Sequence, residues 1–105
     1  MSEKKKPTYD LDSFKAAFSS ESALAMTFIA ANDAANLGFG KSEIVSILQT
    51  MQTPHFYKSM TSHSDYKIWQ DVYHVPSRVG VLYIKFTAGT VTLFKLLLFK
   101  EKDNG

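Results

Sequence analysis

The sequence VLYIKFTAGTVTLFKLLLFK, residues 81–100, contains two β-strand patterns separated by the break Ala88-Gly89. Along the first strand, apolar and polar residues alternate, and a period of two places the two sets on opposite faces of a sheet. The apolar set is Leu82, Ile84 and Phe86, and the polar set is Tyr83, Lys85 and Thr87. We therefore expect an antiparallel pair with one buried face and one open face.

Two further strands are predicted upstream of this pair. The four predicted strands cover residues 56–62, 68–75, 81–87 and 91–100. β-branched and aromatic residues dominate these segments, and the breaks between them are short and turn-like. Short connections favour antiparallel neighbours in a single sheet.

Three helices are predicted before the strands, from the helical spacing of apolar residues. Asp12 or Ser13 caps a short first helix, the second covers residues 21–36 with Gly38 placed to end it, and the third covers residues 42–51. Helices grouped before strands predict an α+β domain, in which N-terminal helices pack on one face of a C-terminal antiparallel sheet.

Composition limits the chain to one domain. Its 105 residues are 45% hydrophobic and include no Cys, which excludes thiolate zinc sites, cysteine nucleophiles and disulfide scaffolds. No apolar run has the length of a signal peptide or a membrane span, so we expect a cytoplasmic protein without a membrane partner. We expect a flexible basic tail at residues 1–8, one domain at 9–102 and a C-terminal tail at 103–105.

Positive charge and aromatic residues are concentrated in residues 55–100. This segment carries six Lys or Arg residues against only Asp65 and Asp71, and it holds all three histidines of the chain. Cations interleaved with aromatic rings are typical of surfaces that bind single-stranded nucleic acid. A solvated, slightly basic sheet face without a ligand is the alternative interpretation of the same pattern.

The sequence gives little support to nucleotide-binding enzymes, metalloenzymes or serine hydrolases. No phosphate-binding glycine loop and no H-E-x-x-H zinc motif is present. The three histidines lie on separate predicted turns or strands without clustered carboxylates, which is a weak signal for a metal. Ser59, His63 and Asp65 are close in sequence, but no nucleophile elbow accompanies them.

A ribonuclease that needs no metal matches the composition better. Cleavage through the 2′-hydroxyl of RNA requires a base, an acid and cations that stabilise the charged phosphorane. From the residues alone, His63 and His74 are the candidate acid/base pair, because the ordinary pKa of histidine is close to neutral pH.

Four stretches of the sequence carry a specific resemblance. They are FYKSMTSHSDYKIWQDVY at 56–73, VLYIKFT at 81–87, LFKEK at 98–102 and NLGF at 36–39. Together they resemble the MqsR (motility quorum-sensing regulator) family of bacterial type II toxins, over roughly residues 27–102. The long block with the single Trp of the chain makes the resemblance specific.

The resemblance implies a RelE-like fold and an mRNA endoribonuclease that stops translation without a metal or other cofactor. It places the catalytic residues at Lys58, Gln70, Tyr83 and Lys100. It also implies a neutralising MqsA-type antitoxin as partner, through which the toxin reaches operator DNA only indirectly. Single-stranded mRNA is the implied substrate. A non-catalytic RNA- or protein-binding module on the same fold is the alternative.

Four more residues are candidate RNA contacts: Lys85, which shares the predicted face of Tyr83, and His63, His74 and Arg78 in the basic segment. At His63 and His74 the sequence departs from the family pattern, so contacts to phosphate or base there are expected to differ.

The turn after the third strand decides whether Lys100 can act with Tyr83. A two-residue turn pairs Tyr83 with Phe94 and leaves Lys100 about 20 Å along the strand. A wider loop over residues 88–91 pairs Tyr83 with Leu96 and shortens the offset to roughly 13 Å. Family membership therefore predicts the wider turn.

Overall fold

The computed structural model describes residues 2–89 and 93–103. In chain order its main elements are β1 (Glu3–Lys4), α1 (Leu11–Ala17), α2 (Phe28–Asn36), α3 (Lys41–Thr50), β2 (Phe56–Thr61), β3 (Trp69–Ser77), β4 (Gly80–Ala88) and β5 (Phe94–Glu101). The strands form one antiparallel sheet in the order β1-β2-β3-β4-β5. The helices pack on one face of this sheet, so the predicted α+β class is confirmed.

The hydrophobic core lies between the helices and the apolar face of the sheet. Phe14 of α1 stacks on Phe86 of β4 with ring centroids 3.8 Å apart, and Phe39 packs edge-on against Phe99 of β5 at 5.6 Å. The apolar set predicted for β4 is completely buried, namely Leu82, Ile84 and Phe86. The predicted alternation is therefore confirmed: the helices pack on the face of β4 that carries this set, and Tyr83 and Lys85 lie on the opposite face.

The strands begin and end close to their predicted positions. β2 ends one residue before the predicted 56–62, and β4 extends 81–87 by one residue at each end. β3 continues two residues past the predicted 68–75. β5 starts at Phe94, and residues 91 and 92 of that predicted strand lie outside the described residues.

The pairing of β4 with β5 brings two predicted site residues side by side. Tyr83 lies directly opposite Lys100, so the predicted pairing of Tyr83 with Leu96 is wrong, although a wider turn was correctly expected. The offset between Tyr83 and Lys100 along the strands is zero rather than roughly 13 Å.

Two features produce this register. The Gly89 N–H donates to the Leu93 carbonyl at 3.0 Å, which closes a loop longer than a two-residue turn. A β-bulge at Leu97 then adds one residue to β5. The Thr27 hydroxyl donates to the Leu97 carbonyl at 2.8 Å, so the segment before α2 stabilises the bulge.

The helices differ from the prediction at their N-terminal ends. The cap of α1 is Asp10, which accepts from the Ser13 N–H at 2.9 Å, rather than Asp12 or Ser13 itself. Only residues 28–36 of the predicted second helix are α-helical, because residues 25 and 27 hydrogen-bond to β5 instead. No helix in residues 2–89 and 93–103 combines the length and apolarity needed to cross a membrane.

The N-terminal segment forms an edge strand where a flexible tail was expected. Glu3 and Lys4 pair with Met60 and Ser59 of β2. The buried Asp71 carboxylate anchors the chain that follows, because it accepts the backbone N–H of Thr8 at 3.0 and 3.1 Å and that of Tyr9 at 2.9 Å. Sequence periodicity cannot reveal a two-residue strand held by a distant carboxylate.

Asp71→Ala is expected to lower the free energy of unfolding by about 2–4 kcal/mol, because it leaves the two backbone donors without their charged acceptor. Urea denaturation followed by circular dichroism measures this loss. Asp71→Asn keeps one acceptor oxygen in the same place and should lose less. Equal stability of the Ala variant and the wild type would contradict the anchoring role.

Candidate active site on the open sheet face

The sheet face opposite the helices, called the open face below, carries a compact group of lysines. Lys58 of β2 lies opposite Val72 of β3, and Val72 lies opposite Lys85 of β4. Residues directly opposite each other in an antiparallel pair share a face. The completely buried Val72 is therefore the floor between the two lysines.

A second cross-strand row lies beside the first. His74 of β3 is opposite Tyr83, and Tyr83 is opposite Lys100 of β5. The Lys100 ammonium lies 5.5 Å from the centroid of the Tyr83 ring. We call Lys58, Lys85 and Lys100 the lysine cluster, and Tyr83 lies among them.

An irregularity in β2 places two consecutive side chains on the open face. The register shifts between Phe56 and Lys58, which is typical of a β-bulge. Phe56 packs against Tyr73 on the core side, whereas Tyr57 stacks on His74 with ring centroids 4.2 Å apart. The bulge thus adds an exposed aromatic ring next to Lys58.

Glu3 neutralises one member of the lysine cluster. Its carboxylate accepts a hydrogen bond from the Lys58 ammonium at 2.8 Å. This hydrogen bond raises the pKa of Lys58 and lowers the pKa of Glu3. Lys58 is accordingly charged at neutral pH and held in place by the edge strand.

Burial is the main cause of the pKa shifts of the other groups on the open face. Loss of solvent lowers the pKa of Lys85, and the positive charges of Lys100 and Lys58 lower it further. Burial raises the pKa of Tyr83 even though Lys58 opposes the shift. Burial also lowers the pKa of His74, with a smaller contribution from Lys102. At neutral pH the phenol is protonated and the imidazole is uncharged.

A cleft of about 400 Å³ and a second one of about 350 Å³ open on this side of the sheet. The smaller one lies over the catalytic candidates Tyr83 and Lys100 and is also lined by Tyr57 and His74. A phosphate group placed there would meet a cation and a neutral proton donor together. Such a pair stabilises negative charge and protonates a leaving oxygen.

The structure brings together three of the four residues that the family resemblance assigns to catalysis. Lys58 of β2 lies in the cross-strand row next to the one that contains Tyr83 of β4 and Lys100 of β5, whereas Gln70 lies on the same face but further along β3. Gln70 is four residues from His74, the partner of Tyr83, so it is displaced by roughly 13 Å. Gln70 is thus not adjacent to Tyr83 on the open face.

The candidate RNA contacts divide into two groups. Lys85 and His74 lie within the site, as described above. His63 is exposed in the loop between β2 and β3, outside the site. Arg78 is in the β3–β4 turn, where it donates to the Gly38 carbonyl at 3.0 Å and to the Glu43 carboxylate at 2.9 Å. The structure thus directs Arg78 toward the helices and away from the lysine cluster.

The His63/His74 pair proposed from the residues alone is not brought together. Only His74 is at the site, because His63 belongs to the loop at the other end of β3. Within residues 2–89 and 93–103, no three His, Asp or Glu side chains are grouped as a metal ion would require. The sequence reasoning also missed Glu3, whose partner could be recognised only from the pairing of β1 with β2.

Comparison with known proteins identifies the family of this chain. The family described as "Motility quorum-sensing regulator, toxin of MqsA" matches residues 6–101. The chain is also 37% identical over 70 residues to the mRNA interferase toxin MqsR of Escherichia coli strain K12, which is 67% of this chain and 69% of the relative. The resemblance found in the sequence is confirmed: the chain belongs to the motility quorum-sensing regulator toxin family.

Proposed function

We propose that this protein is the toxin of a type II toxin–antitoxin pair and acts as an mRNA endoribonuclease that stops translation. The observation that carries the proposal is the lysine cluster around a protonated Tyr83 on an open sheet face. Its relative in Escherichia coli is named an mRNA interferase toxin, which supports the same activity here. The reaction we propose requires no metal or organic cofactor and takes place in the cytoplasm.

The proposed reaction uses the 2′-hydroxyl of the RNA as the nucleophile. Its oxygen attacks the adjacent phosphorus, the bond to the 5′-oxygen breaks, and a cyclic phosphate forms. The ammonium groups of Lys58 and Lys100 stabilise the phosphorane. Gln70 orients the neighbouring nucleotide through its amide.

Proton transfer is assigned to the two groups whose environments favour it. Tyr83 keeps its proton at neutral pH and donates it to the leaving 5′-oxygen. Lys85 has a lowered pKa, because it is half-buried beside two other lysines, so it loses a proton more easily than an ordinary lysine. We assign the base that accepts the 2′-hydroxyl proton to Lys85.

The proposed partner is an antitoxin of the MqsA type, which the description of the family names. A protein that neutralises the toxin must prevent RNA from reaching the lysine cluster, either by covering the open face or by stabilising an inactive arrangement. Operator DNA is then contacted by the antitoxin and reaches the toxin only through it.

The pH dependence of cleavage distinguishes a lysine base from a histidine base. A lysine base is active only when neutral, so the single-turnover rate should keep rising with pH above about pH 6.5, by up to about tenfold per pH unit while the pH is below the lowered pKa of Lys85. His74 has a pKa below its ordinary value, so as base it would give a rate that is constant above about pH 6.5 and falls below it. We expect the continuous rise, measured under single-turnover conditions in buffers of constant ionic strength.

The double variant His63→Gln/His74→Gln is the control for this profile. Glutamine keeps hydrogen-bonding capacity and does not titrate, so we expect the same slope and a rate within about tenfold of wild type. A plateau in the wild type, together with a loss beyond about a hundredfold in the double variant, would show histidine chemistry instead.

Glu3→Gln is expected to tighten RNA binding by about 3- to 10-fold at low salt. The Glu3 carboxylate competes with phosphate for Lys58, and an uncharged amide competes much less. The gain should disappear as salt is raised, because counterions screen the exposed Glu3 carboxylate. Fluorescence anisotropy with a short labelled RNA, in a Tyr83→Phe background that prevents cleavage, measures the affinity.

Glu21→Gln is the matched control, since Glu21 is exposed and lies in the short helical turn before α2. It removes the same charge from the protein as a whole and should change binding less. If both variants bind RNA equally well, the effect is one of net charge, and the competition at Lys58 is contradicted.

A further inference from the structure

A cleft of about 400 Å³ lies at the end of the open face nearest the β3–β4 turn. Pro76 and Val81 are cross-strand partners that form one side of it, and Pro54 and His55 approach from the segment before β2. We call this the side cleft. Most of its lining is apolar or aromatic, unlike the lysine cluster beside it.

The side cleft is continuous with the proposed catalytic site. Three residues line both it and the cleft over Tyr83 and Lys100, namely Tyr57, His74 and Lys102. The His74 ring is 5.8 Å from the Tyr83 ring. A chain whose phosphate is at Tyr83 would therefore place its neighbouring group in the side cleft.

The shared wall is suited to a flat aromatic group. Tyr57 and His74 are stacked with an angle of 24° between their rings. Tyr57 is 40% exposed, and His74 is uncharged at neutral pH because burial lowers its pKa. Uncharged aromatic surface next to cations is the combination that single-stranded nucleic acid sites use for bases and phosphates.

His55 adds one directional polar group to this apolar lining. Its Nδ1 accepts the backbone N–H of Gln52 at 3.0 Å. Because Nδ1 is an acceptor, the ring proton is on Nε2, which is a donor. A donor at a fixed position can distinguish bases by the acceptor atoms on their edges.

We propose that the side cleft binds the nucleobase next to the cleaved phosphodiester and that His55 reads its edge, so that this cleft sets part of the sequence preference. The inference rests on the proposed ribonuclease function. It assigns a binding site to residues that lie outside the catalytic group. The ligand of this site is a single nucleobase of RNA.

Filling the side cleft tests the proposal. Val81 is 42% exposed, so Val81→Trp can place its ring in the cleft without disturbing the core. Ile29 of α2 is 59% exposed on the other side of the protein, and Ile29→Trp is the matched control. Cut sites of both variants and the wild type are mapped by sequencing the products of a random RNA pool.

We expect Val81→Trp to lose the preference at one nucleotide beside the cut and to cleave the preferred sites at least about tenfold more slowly. Ile29→Trp should keep the wild-type pattern and rate. An unchanged pattern in Val81→Trp overturns the proposal. If that variant instead loses only its binding to the antitoxin, the cleft is a groove for protein, and the proposal is equally overturned.

His55→Asn keeps an acceptor for the Gln52 N–H and removes the Nε2 donor, so it covers the case in which Val81→Trp does not fold. We expect it to relax preference at the same nucleotide and to leave other positions unchanged. A pattern identical to wild type in this folded variant overturns the role of His55.

A binding measurement separates failure of this inference from failure of the ribonuclease function. The four nucleoside 3′-monophosphates are titrated into Tyr83→Phe while the NMR signals of Val81 and His55 are followed. Chemical-shift changes that differ among the four bases support a nucleobase site in the side cleft, even if the wild type cleaves no RNA. Cleavage by the wild type without any such shift overturns the side cleft alone.

Discussion

Lys58→Ala should lower the single-turnover rate of RNA cleavage by about 100- to 1000-fold, the loss expected when one preorganised charge is removed from a transition state. Lys58 is the lysine that Glu3 holds in position on the open face, 2.8 Å from its carboxylate. Its removal leaves no buried group unsatisfied, so the melting temperature should change by only a few degrees. Induction of the wild-type gene should arrest growth, and induction of this variant should not.

Lys67→Ala is the matched control, because Lys67 is an exposed lysine in the loop between β2 and β3. It removes the same charge and should retain the wild-type rate and toxicity. Folded Lys58→Ala protein that cleaves as fast as Lys67→Ala would exclude Lys58 from the reaction.

Tyr83→Phe is expected to cost about 100- to 1000-fold in the same assay, since it removes the proposed proton donor and keeps the ring. The variant should bind RNA with nearly wild-type affinity, because the lysine cluster is unchanged. A loss in the chemical step without a loss in binding is therefore the predicted signature. Single-turnover rates at saturating protein, combined with anisotropy titrations, measure the two quantities separately.

Tyr66→Phe removes a hydroxyl from a tyrosine that is 73% exposed in the β2–β3 loop, and it should have no effect. A substrate with an activated leaving group needs no protonation of that group. If Tyr83→Phe slows the cleavage of this substrate as much as it slows the cleavage of ordinary RNA, the assignment of Tyr83 as the acid is wrong.

The sequence was sufficient to predict which face of the sheet carries Tyr83 and Lys85. The alternation in residues 81–87 depends only on the strand period, and burying Leu82, Ile84 and Phe86 forces Tyr83 and Lys85 to the other side. The same reasoning could not position Gln70 relative to Tyr83, because their separation depends on how β3 pairs with β4.

The strand register of Lys100 could not be predicted from the residues around it. Its pairing with Tyr83 depends on a loop that closes between Gly89 and Leu93 and on a bulge at Leu97. Thr27, seventy residues away in sequence, donates the hydrogen bond that stabilises the bulge. No pattern near Lys100 contains this information.

Arg78 and Glu3 illustrate the same limit for single charges. Arg78 belongs to the basic segment by sequence, but Glu43 and the Phe39 ring attract its guanidinium to the helices. Glu3 belongs to a segment that reads as a solvated tail, and strand pairing brings it to Lys58. Counting charges along a sequence therefore locates a basic surface, but it does not show which cations form ion pairs with carboxylates.

The most direct test of the proposed function compares one defined RNA with a copy that carries a single 2′-deoxy nucleotide at the mapped cut site, both incubated with the purified chain in EDTA. The account predicts cleavage of the first at that site, with a 2′,3′-cyclic or 3′-phosphate and a 5′-hydroxyl end, and no cleavage of the second there. Equal cleavage of both strands, or no cleavage of either by the folded protein, would contradict a reaction through the 2′-hydroxyl at the lysine cluster.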